Sequence, residues 1–98
     1  MAKNNNDTIA AKATFYLASI AMFERDFNLT STYLENASEL IAQKELPKFK
    51  LQVQLNLARL AFKKEDYGKA QEIFEYVLQT ALPNNYFDVY TEAVLGYG

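Results

Sequence analysis

Two residue types that build many catalytic and metal sites are missing from this 98-residue chain. It contains no cysteine and no histidine. Serine–histidine and cysteine–histidine nucleophile pairs, zinc sites made from these ligands and disulfide frameworks are therefore excluded. No apolar run approaches the roughly 18 residues of a membrane span, and the polar start lacks the apolar core of a signal peptide. We expect a cytoplasmic protein without a cofactor, a metal or a membrane segment.

Charge of one sign and glycine are also scarce. Ten basic residues stand against twelve acidic ones, a formal net charge of −2, which gives no electrostatic footprint for nucleic acid or an anionic membrane. With only Gly68, Gly96 and Gly98, the chain cannot form a glycine-rich phosphate loop. Half of the residues are hydrophobic, which favours a folded domain over disorder. Neither nucleic acid nor a membrane is an expected partner.

What the chain does contain is an eleven-residue segment that occurs twice, forty positions apart. Residues 17–27 read LASIAMFERDF, and residues 57–67 read LARLAFKKEDY. Four residues are identical, and three more are similar in size and polarity. An internal repeat of this kind indicates a supersecondary unit that buries its apolar face by stacking on a copy of itself.

Apolar residues at three- and four-residue steps predict five helices. The turns are expected at residues 25–28, 43–47, 65–67 and 83–85. Pro47 is suited to the first turn of a helix, because a backbone N–H at that position would have no acceptor within the helix. We expect one all-α domain, 1–98, with residues 1–7 disordered. Its parts are repeat one at about 8–44, repeat two at about 47–82, and a terminal helix at about 84–98.

The second copy resembles the tetratricopeptide repeat (TPR) family. The matching residues are Leu57, Ala58, Glu65, Asp66, Tyr67, Ala70, Phe74 and Pro83. The first copy is looser, because Thr30 replaces an expected alanine and the family's early tryptophan is absent from both copies. The resemblance implies antiparallel helix–turn–helix pairs stacked as a short α-solenoid, with two divergent repeats and the first helix of a third. An ordinary four- or five-helix bundle is the alternative.

In TPR proteins the first helix of each pair lines a concave groove, so the resemblance also implies a binding surface. Its candidate residues here are Lys12, Phe15, Ser19, Phe23, Gln52, Leu55, Asn56, Arg59 and Lys63. Aromatic walls around a basic strip would suit an acidic peptide or partner helix. The clamp that binds chaperone tails is not expected, because only Asn56 survives from it. Alternatively, Phe15 and Phe23 are partly core residues, and Arg59 and Lys63 are merely solvated.

Acidic residues are the remaining candidates for catalysis. Glu24 with Asp26, and Glu65 with Asp66, lie at predicted helix turns, where carboxylates commonly cap the next helix. We therefore expect no enzyme but a non-catalytic scaffold that binds a protein or peptide. One alternative is a homodimerisation domain that uses the C-terminal helix through Tyr90, Val94, Leu95 and Tyr97. Another is the peptide-sensing fragment of a larger bacterial regulator, because a repeat of forty residues, longer than the usual length of about 34 in the TPR family, resembles the repeats of peptide-responsive bacterial regulators.

Overall fold

The computed structural model describes residues 5–97 and the side chains of residues 6–95. Within these residues the chain forms five α-helices and no strand, as the sequence predicts. The helices are α1 (Asn5–Phe23), α2 (Phe27–Ile41), α3 (Pro47–Lys63), α4 (Tyr67–Ala81) and α5 (Phe87–Tyr97).

The helix ends lie close to the predicted turns, with differences of a few residues. α1 begins at Asn5, so residues 5–7 are helical where disorder was expected; the expectation for residues 1–4 lies outside the described residues. α2 and α4 begin inside their predicted turns, because the Asp26 and Asp66 side chains each accept a backbone N–H from the first turn. α3 begins at Pro47, a position that proline favours because it has no backbone N–H that would need an acceptor.

The chain divides into two compact units between Leu46 and Pro47. In the first unit α1 packs against α2, and in the second α3, α4 and α5 pack against one another. The forty-residue period governs packing as well as sequence, because α2 and α4 bury equivalent positions. The buried residues are Thr30, Leu34, Ala37 and Ile41 on α2, and Ala70, Phe74, Val77 and Ala81 on α4.

Small residues line the buried side of α1 in the first unit. Ala11, Ala18 and Ala21 are buried, and their short side chains let a neighbouring helix approach closely. Thr30 of α2 is fully buried where an alanine was expected. Its hydroxyl donates to the Asp26 carbonyl at 2.8 Å, so burial leaves no unpaired polar group.

The second unit has a continuous apolar core centred on α4. Phe74, Val77 and Leu60 are buried and Leu57 is half-buried. Tyr86, which immediately precedes α5, and Tyr90 of α5 pack against this core. Its buried members are Leu51, Leu55, Ala58, Ala61, Ala70, Phe74, Val77, Ala81, Val89 and Ala93.

The same helix-ending turn occurs after α1, α3 and α4. After α3, the N–H of Asp66 donates to the Ala61 carbonyl at 2.8 Å and the N–H of Glu65 donates to the Phe62 carbonyl at 3.0 Å. This is the Schellman pattern, in which one residue takes a left-handed conformation. Arg25, Glu65 and Asn85 occupy that position, with φ of 65°, 66° and 63°.

We predict that Phe74→Ala lowers the free energy of unfolding by about 3–5 kcal/mol, because it empties a fully buried aromatic site. Urea denaturation monitored by circular dichroism measures the change. Tyr76→Ala, at an exposed position on the same helix, is the matched control and should change stability far less. Equal effects of the two substitutions would contradict the assignment of Phe74 to the core.

Replacing the left-handed Glu65 with glycine should stabilise the protein. A left-handed conformation costs an L-residue roughly 1–2 kcal/mol, and the greater freedom of glycine in the unfolded chain offsets about 0.5–1 kcal/mol of that relief. Urea denaturation should therefore show a gain of about 0.5–1 kcal/mol. Lys64→Gly, at a neighbouring position without positive φ, should give no gain; a gain there as well would contradict the explanation.

Candidate functional site

A polar and basic stripe runs along one face of α3. Gln52, Asn56, Arg59 and Lys63 follow one another at three- and four-residue steps, a spacing that places them on one side of a helix. Gln52 and Arg59 are half-buried and Lys63 is exposed. The α3 sequence as a whole contains four basic residues and no acidic one. We use the name α3 stripe for Gln52, Asn56, Arg59 and Lys63.

Asn56 is a buried polar side chain in the middle of the α3 stripe. It is only 6% exposed, and its Oδ1 accepts a hydrogen bond from Arg59 Nη1 at 3.2 Å. The bond satisfies the buried amide oxygen and restricts the orientation of the guanidinium. Because a guanidinium carries five N–H donors, the group retains the capacity to bind a carboxylate.

An ion pair joins the first turns of α3 and α5. Lys48 Nζ lies 2.8 Å from Asp88 Oδ2, and the backbone N–H of Val89 also donates to the Asp88 carboxylate. The hydrogen bond from Lys48, followed by the one from Val89, holds the pKa of Asp88 below its ordinary value of 3.8. The pair is solvent-accessible, so its effect on stability is modest.

The structure places the other predicted groove residues in several environments. Leu55 is 2% exposed and belongs to the core of the second unit, because it shares a side of α3 with Leu51 and Ala58; its side chain is not available to a ligand. On α1, Lys12 and Ser19 are exposed and Phe15 is half-buried. Phe23 is 89% exposed, which contradicts its alternative assignment to the core.

The residues predicted for self-association through α5 are only partly on the surface. Val94 and Leu95 are exposed, Leu95 at 76%. Tyr90 is half-buried and packs against the core, so its ring contributes to folding. The side chain of Tyr97 lies outside the described residues.

A polar cleft of about 510 Å³ lies in the first unit, where the start of α1 meets the end of α2. Lys44 Nζ lies 3.9 Å from Asp7 Oδ2 at this end. The lining side chains are all exposed or half-buried, so no buried polar group marks a ligand position. They are Asp7, Thr14, Asn36, Glu39, Leu40, Gln43 and Lys44.

Two of the four turn carboxylates, Asp26 and Asp66, act as helix caps. Asp26 Oδ1 accepts from the Leu29 N–H at 3.2 Å and Asp66 Oδ1 from the Lys69 N–H at 3.4 Å, which confirms the capping interpretation for the aspartates. Across the described part of the chain, no three acidic side chains are grouped so that they would hold a metal ion. None of the helices described is long and apolar enough to cross a membrane.

Apolar periodicity predicts the helix α1 but does not identify its buried face. Ile9, Leu17 and Ile20 help to predict the helix, but all three are exposed. The buried positions are Met22 and three alanines, of which Ala18 and Ala21 are forty residues before the buried Ala58 and Ala61. Sequence analysis also overlooked Lys48 and Asp88, whose ion pair depends on the packing of α5 and has no local signal.

One comparison with known proteins gives a family. The family model described as "SNAP: Soluble NSF attachment protein, SNAP" matches residues 1–92. The chain belongs to the SNAP family. No curated protein and no solved structure matches the chain.

Membership of the SNAP family agrees with two general predictions from the sequence, a helical-repeat fold and a scaffold for protein interaction. The SNAP family is a TPR-like helical-repeat family of non-enzymatic adaptors, so the predicted helical repeat is confirmed while the family shown is SNAP and not TPR itself. It is a family of helical scaffolds for protein interaction. The α3 stripe is therefore considered as a surface for a protein partner.

Removing the Lys48–Asp88 ion pair should lower stability in a pH-dependent way. Because folding depresses the pKa of Asp88, its contribution is present above its ordinary pKa and is lost as the pH falls through the depressed value. Asp88→Asn should therefore lower the melting temperature slightly near neutral pH, and the difference should disappear in strong acid. Glu72→Gln, at an exposed carboxylate on α4, is the control; a difference for Asp88→Asn that persists in strong acid would contradict the assignment.

Proposed function

We propose that this SNAP-family protein is a non-catalytic attachment module that binds an acidic segment of a partner protein through the α3 stripe. The proposal depends on the charge of the α3 stripe, which contains the basic residues Arg59 and Lys63 on a helix that has no acidic residue. A carboxylate-rich segment lying along the helix would meet Gln52, then Arg59 two turns later, then Lys63 one turn after that.

The geometry around Asn56 supports this surface. An arginine already held by a hydrogen bond loses less conformational entropy when it binds than one moving freely in solvent. Arginine is also suited to carboxylates, because its planar donors match two oxygens at once. Asn56 would therefore act as a positioning residue, and Arg59 would make the direct contact.

The family description supports the class of function. It names attachment to NSF as what these proteins do, and we carry to this chain the general activity, attachment to a protein. The α1 residues of the predicted groove, Lys12, Phe15, Ser19 and Phe23, remain a prediction. The proposal itself depends on the second unit alone.

A second candidate is self-association through α5, as the exposed Val94 and Leu95 suggest. It is the weaker candidate, because Tyr90 of the predicted patch is half-buried and packs against the core. The remaining apolar surface is small for a stable dimer.

Charge reversal on the α3 stripe tests the proposal. A short fluorescein-labelled peptide of Asp, Glu and Leu is titrated with the protein, and fluorescence polarisation gives its dissociation constant. Arg59→Glu should weaken binding by about tenfold or more, because it replaces an attraction with a repulsion. NSF, named in the family description, is the full-size probe for the same variants.

Lys69→Glu is the matched control, since it makes the same change of charge at an exposed position on α4. It should leave peptide binding within about twofold of wild type. Equal losses in the two variants would show that net charge alone governs binding, and unchanged binding by Arg59→Glu would exclude the α3 stripe. Circular dichroism verifies that both variants are folded.

A further inference from the structure

Most of the large apolar side chains of α1 are directed away from its buried face, although Phe15 is half-buried and Met22 is buried. Ile9, Tyr16, Leu17, Ile20 and Phe23 are all exposed, Tyr16 at 66% and Phe23 at 89%. The buried residues of α1 are mostly alanines. This helix thus presents more apolar surface to solvent than a helix at the edge of a monomeric fold normally does.

The exposed residues have the spacing of a helix–helix contact. Ile9, Ala13, Tyr16, Ile20 and Phe23 follow one another at alternating steps of four and three residues. This is the 3.5-residue period of positions a and d in a heptad, which keeps a seam facing a second helix over several turns. We call these five residues the α1 seam.

Charge favours an uncharged partner for the α1 seam. Asp7 and Lys12 are the only charged residues in α1 as described, and Asp7 pairs with Lys44. Lys12 flanks the seam and does not belong to it. A charged side chain of a partner would be buried against the α1 seam without an opposite charge to pair with, which is costly. A second α1 seam brings no charge into the contact.

The size of the surface is also suitable for self-association. The exposed aromatic and aliphatic side chains of α1 amount to on the order of 500 Å² per copy. Small stable interfaces bury about 600 Å² per partner, and flanking residues would supply the remainder. A contact between identical faces closes after two copies and leaves no apolar surface to recruit a third.

We propose that the α1 seam is a homodimer interface in which two copies of the chain pair their α1 helices antiparallel around a two-fold axis at the level of Ala18. In this register Phe23 of one copy lies opposite Ala13 of the other, so a large ring fills the space above a small residue. Tyr16 likewise lies opposite Ile20. A parallel pair would instead place alanine against alanine and phenylalanine against phenylalanine, which packs less well.

Sedimentation equilibrium of the full chain over a range of concentrations tests the interface. Wild type should form a dimer, and Ile20→Glu should raise the dimer dissociation constant at least tenfold, because it places two carboxylates within the seam. Tyr76→Glu and Leu95→Glu, at exposed positions on α4 and α5, should not change it. Circular dichroism should show the same helix content in all variants.

Cysteine cross-linking tests the antiparallel register, and the natural chain contributes no cysteine of its own. Leu17→Cys lies near the two-fold axis and should form a disulfide-linked dimer under mild oxidation. In Ile9→Cys the two thiols would lie about 27 Å apart along the helix axis, so that variant should not cross-link. Efficient cross-linking of Ile9→Cys would overturn the antiparallel register.

Three results would overturn the proposal as a whole. The first is a monomeric wild type at high micromolar concentration. The second is a dimer that Leu95→Glu dissociates and Ile20→Glu does not, which would assign the contact to α5. The third is a monomer that sediments with neutral phosphatidylcholine vesicles through Ile20, which would make lipid the occupant of the seam.

Discussion

The close approach of paired helices is the constraint on which the rest of this structure depends. α1 and α3 each have alanines on the side that packs against other helices. The alanines buried there are Ala18, Ala21, Ala58 and Ala61. Small residues on the first helix are complemented on the second by larger ones, among them Leu34 and Phe74. The repeated turn fixes this arrangement, because its left-handed residue and aspartate cap reverse the chain in the same way after α1 and after α3.

The same constraint leads to the two surfaces proposed for function. Because alanines occupy the packed side of α1, its bulky apolar residues are left on the outside, where they form the α1 seam. On α3, leucines at 51 and 55 fill the core of the second unit, and the polar residues are confined to another side. Asn56 and Arg59 form a hydrogen bond with each other there, so α3 presents an ordered basic surface.

Sequence reasoning could predict the elements of this fold more readily than the exposure of their faces. Apolar periodicity together with the forty-residue repeat predicted five helices, because these signals are local and recur. The buried face of α1 was harder to predict. Hydrophobicity alone favours burial of Ile9 over Ala11, but the close packing of the helices buries Ala11 and leaves Ile9 exposed. Leu55 was chosen as a groove residue from a resemblance, but the volume that α3 and α4 must fill draws it into the core.

The functional surface could be predicted only in part, for a similar reason. The basic character of Arg59 and Lys63 is visible in the sequence, whereas the Asn56–Arg59 hydrogen bond and the Lys48–Asp88 ion pair depend on three-dimensional placement. Membership of the SNAP family indicates a helical scaffold for protein interaction, and the proposal of an acidic partner is argued from the basic side chains of α3.

The central claim is that a protein partner binds along α3. The most direct test follows the backbone amide resonances of isotope-labelled protein by NMR while an acidic peptide is added. The account predicts that the largest shifts occur at Gln52, Asn56, Arg59 and Lys63, with α4 and the polar cleft of the first unit little affected. Shifts confined to α5, to the cleft or to the chain turns, with α3 unchanged, would contradict it.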